Sequence, residues 1–333
     1  MKRSAWRWVR RAGGAVILAV LVRRSGTGPF LDGVRTIGPW SLLAALGITS
    51  VTTACSAWRW SVVARGLGVE LPLRAAIVAY YRSQFVNSAL PGGIVGDVHR
   101  GLRHGREAGD VGRGLRAVAW ERTAGQVVQA GLAAAVLLGL ASPVRPVMPR
   151  VLLAAVLAAV CAALVVHLLP HRRPSRRARI VRAARGDVRD GLLARRAWPA
   201  VTAASVIVVA GHTGIFLIAA ETAGTSASPV QLWPLATLAL LAMAVPFGVG
   251  GWGPREGVAA WAFASAGLGA DQGLATASAY GVLALVATLP GAVVLAVEWL
   301  RRGRTEESDA RSVDEEPRRP AFAGVPAPGG ADG

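Results

Sequence analysis

The chain has 333 residues, 53% of them hydrophobic, and a formal charge of +18. A mean hydropathy of +0.44, with the apolar residues gathered in long blocks, excludes an ordinary soluble domain and predicts a polytopic membrane protein. The charge is nearly all arginine, Lys2 being the only lysine, and it lies between the apolar blocks. That distribution fits the positive-inside rule and contact with anionic lipid better than nucleic-acid binding.

Residues 1–22 resemble a signal peptide, with a basic flank and a short apolar run at 12–22. No small-residue cleavage motif follows, and Arg23-Arg24 come next, so the segment reads as an uncleaved first span. Further apolar segments fall near 40–57, 75–95, 117–141, 150–169, 199–222, 232–247, 256–269 and 274–298. The arginine-dense run 170–198 is expected on the cytoplasmic side, together with both termini. On this map 12–22 and 40–57 go out and back, 117–141 and 150–169 do the same, and 199–222 leaves while 274–298 returns, for about six full spans. Arg23, Arg24, Arg35, Arg145 and Arg150 fall outside, against the trend.

Basic residues flank 75–95 on both sides, so that segment is predicted to enter and leave by one face, as a re-entrant hairpin with Pro91-Gly92-Gly93 near its tip. The region 232–269 should begin and end outside, making a second hairpin of opposite sense around Pro246-Phe247-Gly248-Val249-Gly250-Gly251-Trp252-Gly253. Paired breaks in apolar sequence point to a binding site between repeats, because backbone freed at membrane depth must line protein or a wet cavity. The expected fold is therefore all-α, with a transmembrane domain over 1–302. Residues 303–333, charged and then rich in Pro, Gly and Ala, read as a disordered cytoplasmic tail.

Three constellations could carry function. In the first, Asp97 can cap the helix after the glycines, and Arg100 shares its face three residues on. The choice there is between an interfacial ion pair and an anion contact from Arg100 oriented by Asp97. In the second, Glu121 and Arg122 precede a long apolar run and point about 100° apart, so they need different partners. Asp97 is a candidate for Arg122, and another arginine for Glu121. In the third, Gly253 suits an N-cap, Pro254 the first helical position and Glu256 the first turn. Arg255 stands there against the helix dipole, which makes sense if it and the helix end both face an anion, the alternative being a headgroup anchor.

Other patterns carry less. Gly248, Gly250 and Gly253 match a dinucleotide fingerprint, but no βαβ unit surrounds them. His167 and His171 have metal-compatible spacing without further ligands, and His212 stands alone in a span and is unassigned. Cys55 and Cys161 read as buried small hydrophobes. Nothing points to covalent or zinc chemistry, so no enzyme activity, cofactor or metal is expected.

The motifs resemble the flippase-like family that includes the membrane region of lysylphosphatidylglycerol synthases and the YbhN-type proteins. The matching residues are Asn87, Pro91-Gly92-Gly93, Gly96-Asp97 and Arg100; Glu121-Arg122; and Pro246, Gly250-Gly251, Gly253 and Arg255-Glu256. The chain departs from the pattern at Pro254, where a small or aliphatic residue is expected. The resemblance implies a bacterial plasma-membrane protein that moves lipids or lipid-linked groups between leaflets, with Asp97, Arg100, Glu121, Arg122, Arg255 and Glu256 as substrate-binding residues. Membrane lipids with anionic headgroups are the implied partners, a homo-oligomer is open, and nucleic acid is not expected. The large soluble aminoacyl-transferase domain of the full synthases is not in this sequence, so lipid aminoacylation by this chain alone is not expected. Two other classes stay open: an ion-coupled transporter of a soluble solute, and a non-transporting membrane partner of a lipid-modifying enzyme.

Overall fold

A helix beginning with proline, whose missing N–H would have no intrahelical partner at that position, opens the first long element: α1 (Pro39–Gly66). The computed structural model describes residues 37–90, 93–168, 183–192, 194–195, 197–244 and 253–314. After α1 come α2 (Leu73–Ala89), α3 (Val95–Glu107), α4 (Val111–Gly139) and α5 (Met148–Leu168). A π-helical turn (Asp187–Leu192) precedes α6 (Ala197–Thr222), α7 (Pro229–Ala242), α8 (Pro254–Ser265), α9 (Ala270–Ala287) and α10 (Leu289–Asp314). All regular structure among the described residues is helical.

Local chemistry sets the starts. Asp110 accepts from the Arg113 N–H at the head of α4, and Ser228 with Gln231 forms a capping box at the head of α7. Gly253, at φ 100°, is the N-cap of α8, with Pro254 next and Glu256 in the first turn, as expected. The start of α3 differs from expectation. Ile94 is its N-cap and makes no side-chain cap bond. Asp97 lies inside the first turn, where side chains rather than the free helix N–H groups claim its carboxylate.

Among the described residues, three stretches are long and apolar enough to cross a membrane: α1, α6, and Ala270–Arg301, made of α9 and the start of α10. The last is interrupted. Thr288 caps α9, and Pro290, which lacks an N–H, lies just after the new start. The helix then continues to Asp314, through part of the segment read as a tail. Residues 315–333, the segment 12–22, most of 170–198, Pro91-Gly92 and 245–252 lie outside the described residues.

Residues to Val294 form one compact unit and those from Leu295 a second; every site residue discussed below belongs to the first. Two apolar cores share α1. Ala45 packs with Phe216, Leu235, Phe263 and Tyr280 from α6, α7, α8 and α9. Ala57, Trp60 and Val63 pack with Tyr80 of α2, Ala117 of α4 and Val201 of α6. In the regions expected to hold hairpins, α2 packs against α3 and α7 against α8. Each helix is too short to span a bilayer core, which takes about 20 residues.

Candidate functional site

Glycine brings the first charged helix into place. A Cβ on Gly114 of α4 would lie 2.6 Å from Gly105 Cα of α3, and one on Gly105 would lie 2.6 Å from Val111 Cα. The two backbones touch, as small residues permit in membrane bundles. Gly96 meets the Ser83 carbonyl of α2 in the same way. Asp97 and Arg100, one turn apart, are thereby held between α2 and α4.

Glu121 is the hub, with its side chain fully buried. Its Oε1 accepts from Arg59 Nε at 2.8 Å, from Arg59 Nη2 and from Tyr80 Oη at 3.2 Å. Its Oε2 accepts from Arg100 Nη2 at 2.7 Å. The Arg100 guanidinium lies between aromatic rings, 4.4 Å from the Trp60 centroid and 4.3 Å from that of Tyr80. Cation–π contacts desolvated in this way contribute about 2 kcal/mol. Arg59 Nη1 donates to Ser205 Oγ of α6 at 2.8 Å. Room for Arg59 comes from Gly125, where a Cβ would meet its guanidinium at 2.8–3.0 Å. A buried carboxylate needs this density of donors, since an unpaired buried charge costs several kcal/mol.

Asp97 is the second hub. Its Oδ1 accepts from Arg100 Nε at 2.9 Å and Ser83 Oγ at 3.2 Å. Its Oδ2 accepts from Asn87 Nδ2 at 2.7 Å and from Arg122 Nη1. Asn87 also takes the Gly96 N–H at 2.8 Å, tying the end of α2 to the start of α3. The pairings expected from sequence, Asp97 with Arg122 and Glu121 with other arginines, both form.

Arg122 is the one member that reaches open space. Its side chain is 41% exposed, against 0% for Arg100. It lines a cavity of about 950 Å³ between α4, α6, α7 and α9. The wall is chiefly aliphatic, with Val127, Val136, Val209, Leu240 and Leu241 among its residues, and Gln126, Gln129 and Thr237 add uncharged polar groups. Arg122 is the only permanently charged residue in that wall among the described residues. Its bonds to Asp97 and to the Gly93 carbonyl both use Nη1. Along α4 the wall runs from Arg122 to Val136, about 21 Å at 1.5 Å per residue.

The third constellation is separate. Arg255 is 1% exposed and bonds Glu256 through Nε at 3.1 Å and through Nη2. Glu256 Oε2 reaches back to the Gly253 N–H at 2.6 Å. The guanidinium lies 5.1 Å from the Tyr280 ring centroid, and Tyr280 Oη is 3.0 Å from His212 Nδ1. Tyr280 and His212 both line the cavity, whereas Arg255 and Glu256 do not. The helix-end arginine thus faces its neighbouring carboxylate and a tyrosine, not open space.

Of the six expected residues, Asp97, Arg100, Glu121 and Arg122 come together, and Arg255 with Glu256 forms the other pair. Only Arg122 borders the cavity. Sequence reasoning missed Arg59, Trp60, Tyr80, Asn87's bridging role and Ser205. Arg59 lies inside α1, which continues through Ser61-Val62-Val63-Ala64 to Gly66. An arginine between two tryptophans with apolar sequence beyond it was the available signal.

No group of three or more His, Cys, Asp or Glu suited to a metal occurs among the described residues.

An all-helical bundle with apolar spans, a buried arginine–carboxylate network and a cavity bordered by one charge defines a multi-pass integral membrane protein. The family model for the lysylphosphatidylglycerol synthase TM region matches residues 7–291, and the chain belongs to that family, a membrane domain linked by its name to lipid modification. No curated protein matches the chain.

Proposed function

We propose that this protein translocates a phospholipid or lipid-linked anionic substrate between membrane leaflets, without carrying out covalent chemistry. The observation that carries this reading is Arg122: one charged group, held by a single nitrogen, at the border of a long aliphatic cavity. Nε and Nη2 are then available for the two oxygens of a phosphate, the bidentate geometry for which arginine is suited. The wall of about 21 Å exceeds the roughly 15 Å half-thickness of a bilayer core, so an acyl chain of one leaflet fits along it. A soluble solute would have no use for so much aliphatic wall.

Asp97 orients Arg122 and limits the cost of its charge while the site is empty. Arg59, Arg100 and Glu121 form the buried platform behind it. Arg255 and Glu256 brace the opposite wall through Tyr280, a positioning role in place of the direct headgroup contact that the helix end first suggests. The α2–α3 and α7–α8 pairs act as the two re-entrant hairpins, with both termini cytoplasmic in the bacterial plasma membrane. Cysteines introduced at Ser175 and Ser308, with Cys55 and Cys161 replaced, should resist an impermeant thiol reagent in intact cells. Labelling of either position would reverse the orientation.

The binding test uses purified protein and a short-chain fluorescent phosphatidylglycerol. Wild type should bind it, Arg122→Ala should weaken binding at least tenfold, about 1.4 kcal/mol, and soluble glycerol phosphate should fail to displace it. Displacement by glycerol phosphate at equal concentration would favour a solute transporter.

A further inference from the structure

We propose that His212 is a proton-binding site of the cavity, and that the protein takes up a proton together with its anionic substrate. The inference rests on the lipid reading of the cavity and adds the coupling ion. His212 lies in the span α6, where an ionisable side chain is costly and serves a purpose. Its Nδ1 is engaged by Tyr280 Oη at 3.0 Å. Among the described residues Nε2 has no partner, and the ring lines the cavity. In the tautomer with the proton on Nδ1, donating to Tyr280, the lone pair of Nε2 is left to take a proton from water in the cavity. The bond to Tyr280 survives that step unchanged, so the ring is held in place in both charge states.

The surroundings leave the compensating charge to the substrate. From α9 the ring meets neutral Tyr280, behind which the Arg255 charge is matched by Glu256 of α8. α1 presents Thr52 and Ile48 to Gly211 beside it, while Cys55 is uncharged and Arg59 is bonded to Glu121 and to Ser205, about two turns away on α6. α7 contributes Trp233, Thr237 and Leu240 to the cavity. The π-helical turn holds Asp187, which is taken by Arg116 and Trp120. α4 contributes Arg122, a second cation, whose Asp97 partner is shared with Arg100. Among the described residues an imidazolium in the cavity therefore has no anion of its own. A phosphate drawn in by Arg122 supplies one, and by linkage each ligand then raises the affinity for the other.

The test measures binding of short-chain fluorescent phosphatidylglycerol to the full chain at about pH 8 and about pH 5.5, on either side of the usual histidine range. A pH indicator in weak buffer reports proton uptake in parallel. Wild type should bind at least about fivefold more tightly at the acidic pH, the lower end of typical coupling, and binding should consume protons. His212→Gln, which retains a side chain able to hydrogen-bond Tyr280, should bind as wild type does at the alkaline pH and lose both the acid enhancement and the proton uptake. The same enhancement and uptake in a folded His212→Gln protein would overturn the proposal, as would pH-independent binding by wild type. Absence of wild-type binding at both pH values would instead remove the lipid reading on which it stands. If His212→Gln does not fold, the wild-type indicator signal decides: no proton uptake on lipid addition rejects the site.

Discussion

The two charged clusters of this bundle balance their buried charge differently. Around α2, α3 and α4, Arg59, Arg100 and Arg122 share the carboxylates of Asp97 and Glu121, so cations outnumber anions and Arg122 emerges into the cavity. At the head of α8, Arg255 and Glu256 match one to one, and the cavity beside them receives only the neutral Tyr280 and His212. One region presents a surplus positive charge, and the other closes its charge off behind an aromatic ring. An anion-binding wall needs the first arrangement, and a structural brace is satisfied by the second.

The comparison breaks most visibly at the hubs. Glu121→Gln strands two buried arginines, and removing one partner of such a network costs about 3–5 kcal/mol. Detergent-extracted variant should show a large fall in melting temperature or fail to yield folded protein. Glu256→Gln leaves one arginine, still stacked on Tyr280, and an amide that can accept from Gly253, so its loss should be nearer about 1–3 kcal/mol. Equal losses at the two positions would mean that the clusters are not different in kind.

A smaller effect sharpens the role of space. Gly125→Ala places a methyl against the Arg59 guanidinium, which is held on both sides and cannot move away freely. The expected cost is about 1–3 kcal/mol by thermal unfolding. The same change at Gly131, where a Cβ meets nothing within 4 Å, should leave the melting temperature unchanged or raise it, because alanine is the better helix former by about 1 kcal/mol.

Much of this was legible in sequence, and what was not has a physical reason. The positions of the apolar helices followed from apolar blocks, and the start of α8 from the order Gly253, Pro254, Glu256, because those signals are local; the charged helix α3 lay in no such block. The Asp97–Arg122 pair was anticipated because a charge inside apolar sequence needs a partner and few were available. For Glu121 an arginine partner was expected but not which residues donate, since Arg59 and Tyr80 come from helices about 60 and 40 residues away and spacing carries no information about such contacts. Arg255 was read as facing an anion from the helix dipole alone. The dipole reading did not weigh that the adjacent carboxylate can turn back to both Arg255 and the Gly253 N–H.

Among the charged residues, the smallest expected change in stability belongs to the one given the largest role. Arg122 is part-exposed, so Arg122→Ala should shift unfolding by no more than about 0.5 kcal/mol beyond the effect of releasing Asp97. That makes it the clean test of the central claim. Purified wild type, Arg122→Lys, Arg122→Ala and Arg255→Ala should be reconstituted at matched density with a headgroup-labelled phosphatidylglycerol, and leaflet exchange followed with an impermeant quencher. The account predicts rapid exchange by wild type, partial exchange by Arg122→Lys, near-background exchange by Arg122→Ala, and a lesser reduction for Arg255→Ala. Wild-type exchange rates from a folded Arg122→Ala protein would contradict it.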